Sequence, residues 1–396
     1  MTDEATSSVG GFVPPPSSVG GFVPPPSSAG GFVPPLSSVG GFVPPPYPYD
    51  RLDEIKAIAA RHANGGVDLS IGTPTDAPPD DVIAALSSSN SERGYPPSIG
   101  TVEFRDAAAA WLNRRVGTDL GPGDVRATIG SKEFVAGLPH WLRLRSPDRD
   151  TVLYPQISYP SYAMGATLAG CRAVPIPINE HSQTELSAID PADVSRALCL
   201  WVSSPGNPTG ALDDLSAAAE WGRTNGVPVV SDECYIEFTW NGPPRSILES
   251  GNDGVIAVHS LSKRSNLAGV RSGFYAGDQD LINYISEVRK HAGFIPPGPV
   301  QAAAIAAFSD QVHVDAQRNR YFRRLQTMQA LLRDRMGVDV ALPDGSFYLW
   351  VPAPGGDAWG FAETLAEELG IVTSPGEFYG DAATDHVRIA LVRDTP

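Results

Sequence analysis

Apolar residues in the middle of the chain come in short blocks, not in long amphipathic stripes. Residues 124–130 (DVRATIG), 151–155 (TVLYP), 171–178 (CRAVPIPI), 197–205 (ALCLWVSSP), 228–235 (PVVSDECY), 254–263 (GVIAVHSLSK) and 272–278 (SGFYAGD) are each of strand length. Helical segments fall among them at 131–142, 157–170, 213–226, which Gly226 closes, and 279–291, which ends before Phe294-Ile-Pro-Pro. Apolar strands followed by helices predict an α/β fold with a mostly parallel sheet covered on both faces. Ahead of this region, Leu52, Ile55, Ala59 and His62 recur at helical spacing over 50–63. A strand and turn (VDLSIGTPTD, 67–76), a helix from Asp80 to Ser87, a loop (GYPPSIG, 94–100) and a helix at 102–117 follow.

After residue 300 the pattern changes. It predicts helices around 302–307 and over 313–337, a strand at 346–354, a helix at 360–370, an extended segment at 371–376 and a last strand at 386–392. That order suggests a smaller α+β domain over 291–396, joined by the N-terminal segment 47–75, with a large domain over 76–290 between them. Residues 7–46 stand apart. They are four near-copies of SSVGGFVPPP, the third reading SSAGGFVPPL. One Phe and one or two Val per unit cannot offset the entropy of ordering the rest, so residues 1–46 are expected to be disordered, with short polyproline II pieces. The chemistry should survive their deletion; an added interaction role stays open.

Composition narrows the function. With 29 Lys+Arg against 45 Asp+Glu, the net charge of −16 argues against a nucleic-acid surface. Three scattered cysteines, Cys171, Cys199 and Cys234, fit neither a disulfide framework nor a Cys-ligated metal site, and favour a reducing compartment. No run of 18 apolar residues exists and the first residues do not read as a signal peptide, so a soluble cytoplasmic protein without membrane association is expected.

Ligands of such sheets bind at the carboxyl ends of strands, and polar groups cluster there. Gly130-Ser131-Lys132, Ser204-Pro205-Gly206-Asn207, Asp232-Glu233 and Ser260-Leu261-Ser262-Lys263 each follow a predicted strand. Lys263, between two serines and eight residues before Arg271, is a candidate Schiff-base amine. The hydroxyls and Arg271 suit a phosphate monoester, and residues 130–132 offer backbone donors at a helix start. A carboxylate ending an apolar strand needs a strong partner, and a protonated pyridine nitrogen is one. Chemistry alone leaves Asp232 and Glu233 both open. Tyr235 lies within reach of a phenolic oxygen. Strand alternation is expected to turn Cys234 away. Together these requirements converge on pyridoxal 5′-phosphate.

The segments SSPGNPTG (203–210), SDECY (231–235) and SLSKRSNLAGVRSG (260–273), in this order, resemble the fold-type I pyridoxal-phosphate aminotransferases of class I/II. The resemblance covers roughly residues 50–394. Within the family, YPYDRLDEIKA, GYPPSIGTVEFRDA and TSPGEFYG look most like actinobacterial succinyldiaminopimelate aminotransferases. That implies transfer of an amino group, from glutamate, to N-succinyl-2-amino-6-ketopimelate. Another acceptor (aspartate-type, aromatic or N-acylated) and a non-catalytic module on the same fold are the alternatives.

By resemblance, Lys263 carries the cofactor and shuttles the proton, and Asp232 pairs with the ring nitrogen. Asn207 and Tyr235 meet the ring's phenolic oxygen, and Tyr159 stacks on the ring. Ser131, Lys132 (through its backbone), Ser260, Ser262 and Arg271 surround the phosphate. Tyr95 serves the cofactor of the neighbouring subunit in a homodimer. Arg388 clamps the substrate α-carboxylate, with Gly72 and Asn207 beside it. The partners are small amino and keto acids. No motif marks the residue for the distal substrate group; Arg264, Arg93 and Arg289 are the open possibilities.

Overall fold

The structure, a computed structural model, describes residues 42–395. The expected disorder of the decapeptide repeats therefore falls almost wholly outside the described residues. Twelve strands occur in the described part: β1 (Val67–Asp68), β2 (Val125–Thr128), β3 (Thr151–Pro155), β4 (Arg172–Ile176), β5 (Ala197–Ser203), β6 (Val229–Asp232), β7 (Val255–Ser260), β8 (Gly273–Gly277), β9 (Tyr348–Pro352), β10 (Ile371–Val372), β11 (Ser374–Pro375) and β12 (His386–Ala390).

Seven of them form the large sheet, in the order β2-β8-β7-β6-β5-β3-β4. The pairings from β7 through β6, β5 and β3 to β4 are parallel, while β8 runs antiparallel to both β7 and β2. The central strands read as continuous apolar runs because both faces are covered. Alternation sends Leu200, Val202, Val229, Val255 and Ala257 into one core. Cys199, Trp201, Val230, Ile256 and Val258 enter the core on the opposite face.

A smaller antiparallel sheet, β11-β12-β9, and the two-stranded parallel pair β1-β10 make up the second body. Its core joins Leu52, Ile55 and Leu69 from the N-terminal segment to Phe347, Leu365, Ile371, Val387 and Ile389. This is the α/β architecture that the resemblance implies, a mostly parallel sheet with a smaller sheet beside it.

Three local readings change. The helix expected over 50–63 is a 3-10 turn, Pro48–Leu52, followed by a short α-helix, Asp53–Ala59. The long helix expected to Gly337 is α-helical over Val312–Leu331 and finishes in a π turn before Gly337, which takes the left-handed conformation. The polar turn after β7 is a one-turn helix, Leu261–Arg264, capped by the Ser260 hydroxyl accepting from Ser262 N–H. That cap sets the direction in which Lys263 leaves the strand.

Candidate active site

Lys263 stands at the carboxyl end of β7, half-buried, with its Nζ donating to the Gly72 carbonyl. Burial pushes its amine down to about 8, helped by the Arg388 and Arg271 guanidiniums and opposed by Cys234 and Asp232. Asp232 ends the neighbouring strand β6 and is 7% exposed. Its Oδ1 accepts from Cys234 N–H at 3.2 Å and its Oδ2 from the Tyr162 hydroxyl at 3.1 Å. Burial holds this carboxyl above its usual range despite those bonds and Lys263. Tyr162 is in turn fixed by stacking on Trp201, centroids 4.9 Å apart, and Tyr159 meets it edge-on at 5.8 Å.

On the other side of Lys263 lies a cluster of hydroxyls and N–H groups. Ser260 Oγ and Ser262 Oγ are 3.0 Å apart, and Arg271 Nη1 donates weakly to Ser262 Oγ at 3.4 Å. Arg271 itself sits at φ 59°, a conformation that costs a non-glycine residue free energy and recurs at functional sites. Its guanidinium presses onto Gly130, where an added Cβ would collide with it. Gly130 is also at φ 74°, a conformation that favours glycine. It leads directly into the helix Ser131–Arg145, whose free N–H groups open onto the same cluster. The Lys132 side chain points elsewhere, its Nζ 5.1 Å from the Tyr47 ring centroid.

The third part surrounds Arg388 on β12, which is 2% exposed. Its Nη1 donates to Asn207 Oδ1 at 2.7 Å, and its Nη2 to the Ser70 carbonyl at 2.5 Å and to the Tyr49 hydroxyl at 3.4 Å. The guanidinium lies over the rings of Tyr348 (4.1 Å) and Tyr379 (4.7 Å). Its Nε has no hydrogen-bond partner, and among the described residues no carboxylate pairs with it. A buried guanidinium without a counter-ion is a built receptor for an anion. Asn207 reaches it from a loop that Gly206 N–H closes onto the Ala211 carbonyl at 2.8 Å. Tyr235 bonds the Tyr348 hydroxyl at 2.7 Å.

Lys263, Asp232, Asn207, Tyr235, Ser131, Ser260, Ser262, Arg271, Tyr159, Gly72 and Arg388 thus converge on one region. Tyr95 does not join them within the chain: it is 97% exposed and makes no hydrogen bond or ring contact among the described residues. The expectation for Cys234 is corrected. Residues two apart in a strand share a face, and the chain leaves β6 for a turn after Asp232. The Cys234 thiol is buried beside the Asp232 carboxyl, the Ser131 hydroxyl and Lys263. Two of the possible distal arginines are also corrected. Arg264 is buried against Glu237 Oε1 at 3.2 Å and the Ala307 carbonyl at 2.6 Å, and Arg289 forks onto Glu133 at 2.6 and 2.8 Å. Arg93 is exposed beside Glu92.

Sequence reasoning gave no role to Tyr49, Ser70, Tyr162, Tyr348 and Tyr379. Tyr162 was within reach, since it lies one helical turn beyond Tyr159. The others meet only in the fold.

Comparison with known proteins agrees with this geometry. The family model "Aminotransferase class I and II" matches residues 64–395, and the chain belongs to that family. It is 42% identical to the 4-dedimethylamino-4-oxo-anhydrotetracycline transaminase OxyQ of Streptomyces rimosus, over 87% of this chain and 94% of that one. It is 40% identical to a "probable aminotransferase" of Mycobacterium tuberculosis, over 87% and 81%. Among solved structures, a "probable N-succinyldiaminopimelate aminotransferase" of Thermus thermophilus superposes with a TM-score of 0.78 at 31% identity, covering 87% and 95%.

The protein is a pyridoxal-phosphate-dependent aminotransferase. The donor set suits that cofactor: an amine of lowered pKa, a buried acid, and a phosphate-sized nest of serines, helix N–H groups and an arginine pressed on glycine. Among the described residues no helix is long and apolar enough to cross a membrane.

Proposed function

We propose that the protein moves an amino group from L-glutamate to N-succinyl-2-amino-6-ketopimelate. The observation that carries the α-amino-acid part is the buried Arg388, which has no carboxylate partner among the described residues and faces the same region as Lys263. The acceptor is supported by the likeness of several segments to succinyldiaminopimelate aminotransferases and of the fold to the Thermus structure.

Pyridoxal phosphate, when bound, supplies a carbonyl for amine capture and an electron sink for the α-carbon's electrons. Arg388 binds the substrate α-carboxylate through a forked pair of N–H donors, displacing its present neutral acceptors, with Asn207 and Gly72 alongside. Asp232 holds the proton of the ring nitrogen, and the Tyr162 hydroxyl and Cys234 N–H keep its carboxylate oriented. Asn207 and Tyr235 offer donors to the phenolic oxygen, and Tyr159 covers the ring. Ser131, the backbone of Lys132, Ser260, Ser262 and Arg271 bind the phosphate. Lys263, its amine lowered to about 8, takes the proton from the substrate α-carbon. Tyr95 completes the site of a second subunit.

A second reading keeps the reaction and changes the keto substrate; the 42% identity to a transaminase of a tetracycline intermediate favours it. Absorbance of the holoenzyme separates the two. Glutamate should convert the pyridoxal spectrum to that of the amine form, and the succinylated keto acid should reverse it much faster than oxaloacetate or aromatic keto acids do. Reversal by the latter alone would discard the acceptor and keep the reaction.

A further inference from the structure

Tyr235 and Tyr348 are both buried, and their hydroxyl oxygens are 2.7 Å apart. Between two phenols sharing one hydrogen bond, one donates and the other accepts. The direction matters, because a Tyr235 proton given to Tyr348 is not available to anything else. Three features fix Tyr348 in place. Its ring lies beneath the Arg388 guanidinium at 4.1 Å. It meets the Tyr235 ring at 65°, centroids 5.4 Å apart. Its hydroxyl also closes on Gly72 so tightly that an added Cβ there would strike it. A cation over a phenol's ring makes the phenol a better donor, and the Arg388 guanidinium over the Tyr348 ring opposes the rise that burial gives that phenol. The more acidic phenol gives its proton to the less acidic one.

We infer that Tyr348 is a positioning residue: it donates to Tyr235 Oη and so leaves the Tyr235 O–H pointing at the cofactor's phenolic oxygen. The inference rests on the proposed placement of the cofactor beside Tyr235. It assigns a purpose to the tyrosine at the start of β9 in the smaller sheet. It also accounts for Gly72, since a side chain there would push the Tyr348 hydroxyl off its partner. The chain of donors runs Tyr348 to Tyr235 to the phenolic oxygen, and each bond polarises the next.

The test is a pH titration of the near-visible absorbance of the holoenzyme. A donor to the phenolic oxygen favours the deprotonated chromophore, whose oxygen carries more negative charge. Losing that donor raises the titration midpoint. Tyr348→Phe keeps the ring under Arg388 and removes only the hydroxyl. It should raise the midpoint by about half a pH unit, less than Tyr235→Phe does, and Tyr235→Phe/Tyr348→Phe should match Tyr235→Phe alone.

An unchanged midpoint in Tyr348→Phe would overturn the inference. So would a lowered one, which would mean that Tyr235 was donating to Tyr348, and so would a double variant showing the sum of the two single shifts. A wild-type protein that acquires no titrating chromophore on incubation with pyridoxal phosphate would instead remove the proposed function, and this inference with it.

Discussion

Lys263 is the residue on which the chemistry turns, and its surroundings set when it can act. Its amine is pushed down to about 8 chiefly by burial. At about pH 7 roughly a tenth of such an amine is neutral, against less than about a thousandth for an ordinary lysine. Only the neutral amine attacks a carbonyl. The rate at which cofactor-free protein captures pyridoxal phosphate should therefore rise with pH and level off above about 8. Stopped-flow absorbance would show this; a rate still climbing steeply two units higher would mean that the lysine is not perturbed. Lys263, Ser260, Ser262 and Arg271 were legible in the sequence because they sit in one fourteen-residue segment. The cage around Arg388 was not. Tyr49, Ser70, Tyr348 and Tyr379 come from distant segments, and only the closing of the small domain's core brings them together. Cys234 shows a different limit. Alternation applies only while the strand lasts, and even then it puts Cys234 on the face of Asp232.

Among the elements, the strand tips were the most legible and their mutual anchoring the least. β6 and β7 carry Asp232 and Ser260 into the site, and directly behind them Glu233 Oε2 faces His259 Nε2 at 3.3 Å, both side chains at most 2% exposed. Burial pushes the Glu233 carboxyl up to about 8 and the His259 imidazole down to about 3. The pair is thus neutral, with the acid protonated. The Ile247 N–H donates to Glu233 Oε1 at 2.8 Å, and the rings of Trp111 and Phe274 enclose His259 at 5.3 and 4.8 Å.

Linkage gives the pH dependence of stability. The raised acid keeps a proton in the folded state that the unfolded chain loses above 4.5, so its contribution falls as pH rises from 4.5 to about 8. The lowered base does the reverse between about 3 and 6.5. The two oppose each other between 4.5 and 6.5, and a net fall remains from there to about 8. Glu233→Gln should abolish that fall, gaining about 1–2 kcal/mol on wild type across the window, and should cost under about 1 kcal/mol at neutral pH. Denaturant unfolding at several pH values checks this. A loss of about 3 kcal/mol or more at neutral pH would instead mark a broken buried ion pair. A single sequence could not announce this pair, because Glu233, just past the end of β6, and His259, on β7, are 26 positions apart.

At the scale of the whole molecule, the alternation of strands and helices foretold the α/β class, while the antiparallel entry of β8 was not visible in it. This strand is as buried as its parallel neighbours, since both faces of the sheet are covered. Tyr95 makes no hydrogen bond or ring contact among the described residues. It is 97% exposed on a loop rich in glycine and proline.

If Tyr95 serves the cofactor of a second subunit, as proposed, two different defects should cure each other. Lys263→Ala lacks the amine but keeps Tyr95, and Tyr95→Ala lacks the tyrosine but keeps the amine. Each homodimer has two damaged sites. In a mixed dimer the Tyr95→Ala subunit keeps its Lys263 and receives an intact Tyr95 from its partner, so one of the two sites is whole. Unfolding and refolding the variants together in equal amounts makes about half of the dimers mixed, and activity should recover to about a quarter of wild type. Separately refolded variants, pooled afterwards, should show no such recovery while subunit exchange is slow. Co-refolded activity that stays at the average of the two homodimers would place Tyr95 outside the partner's site.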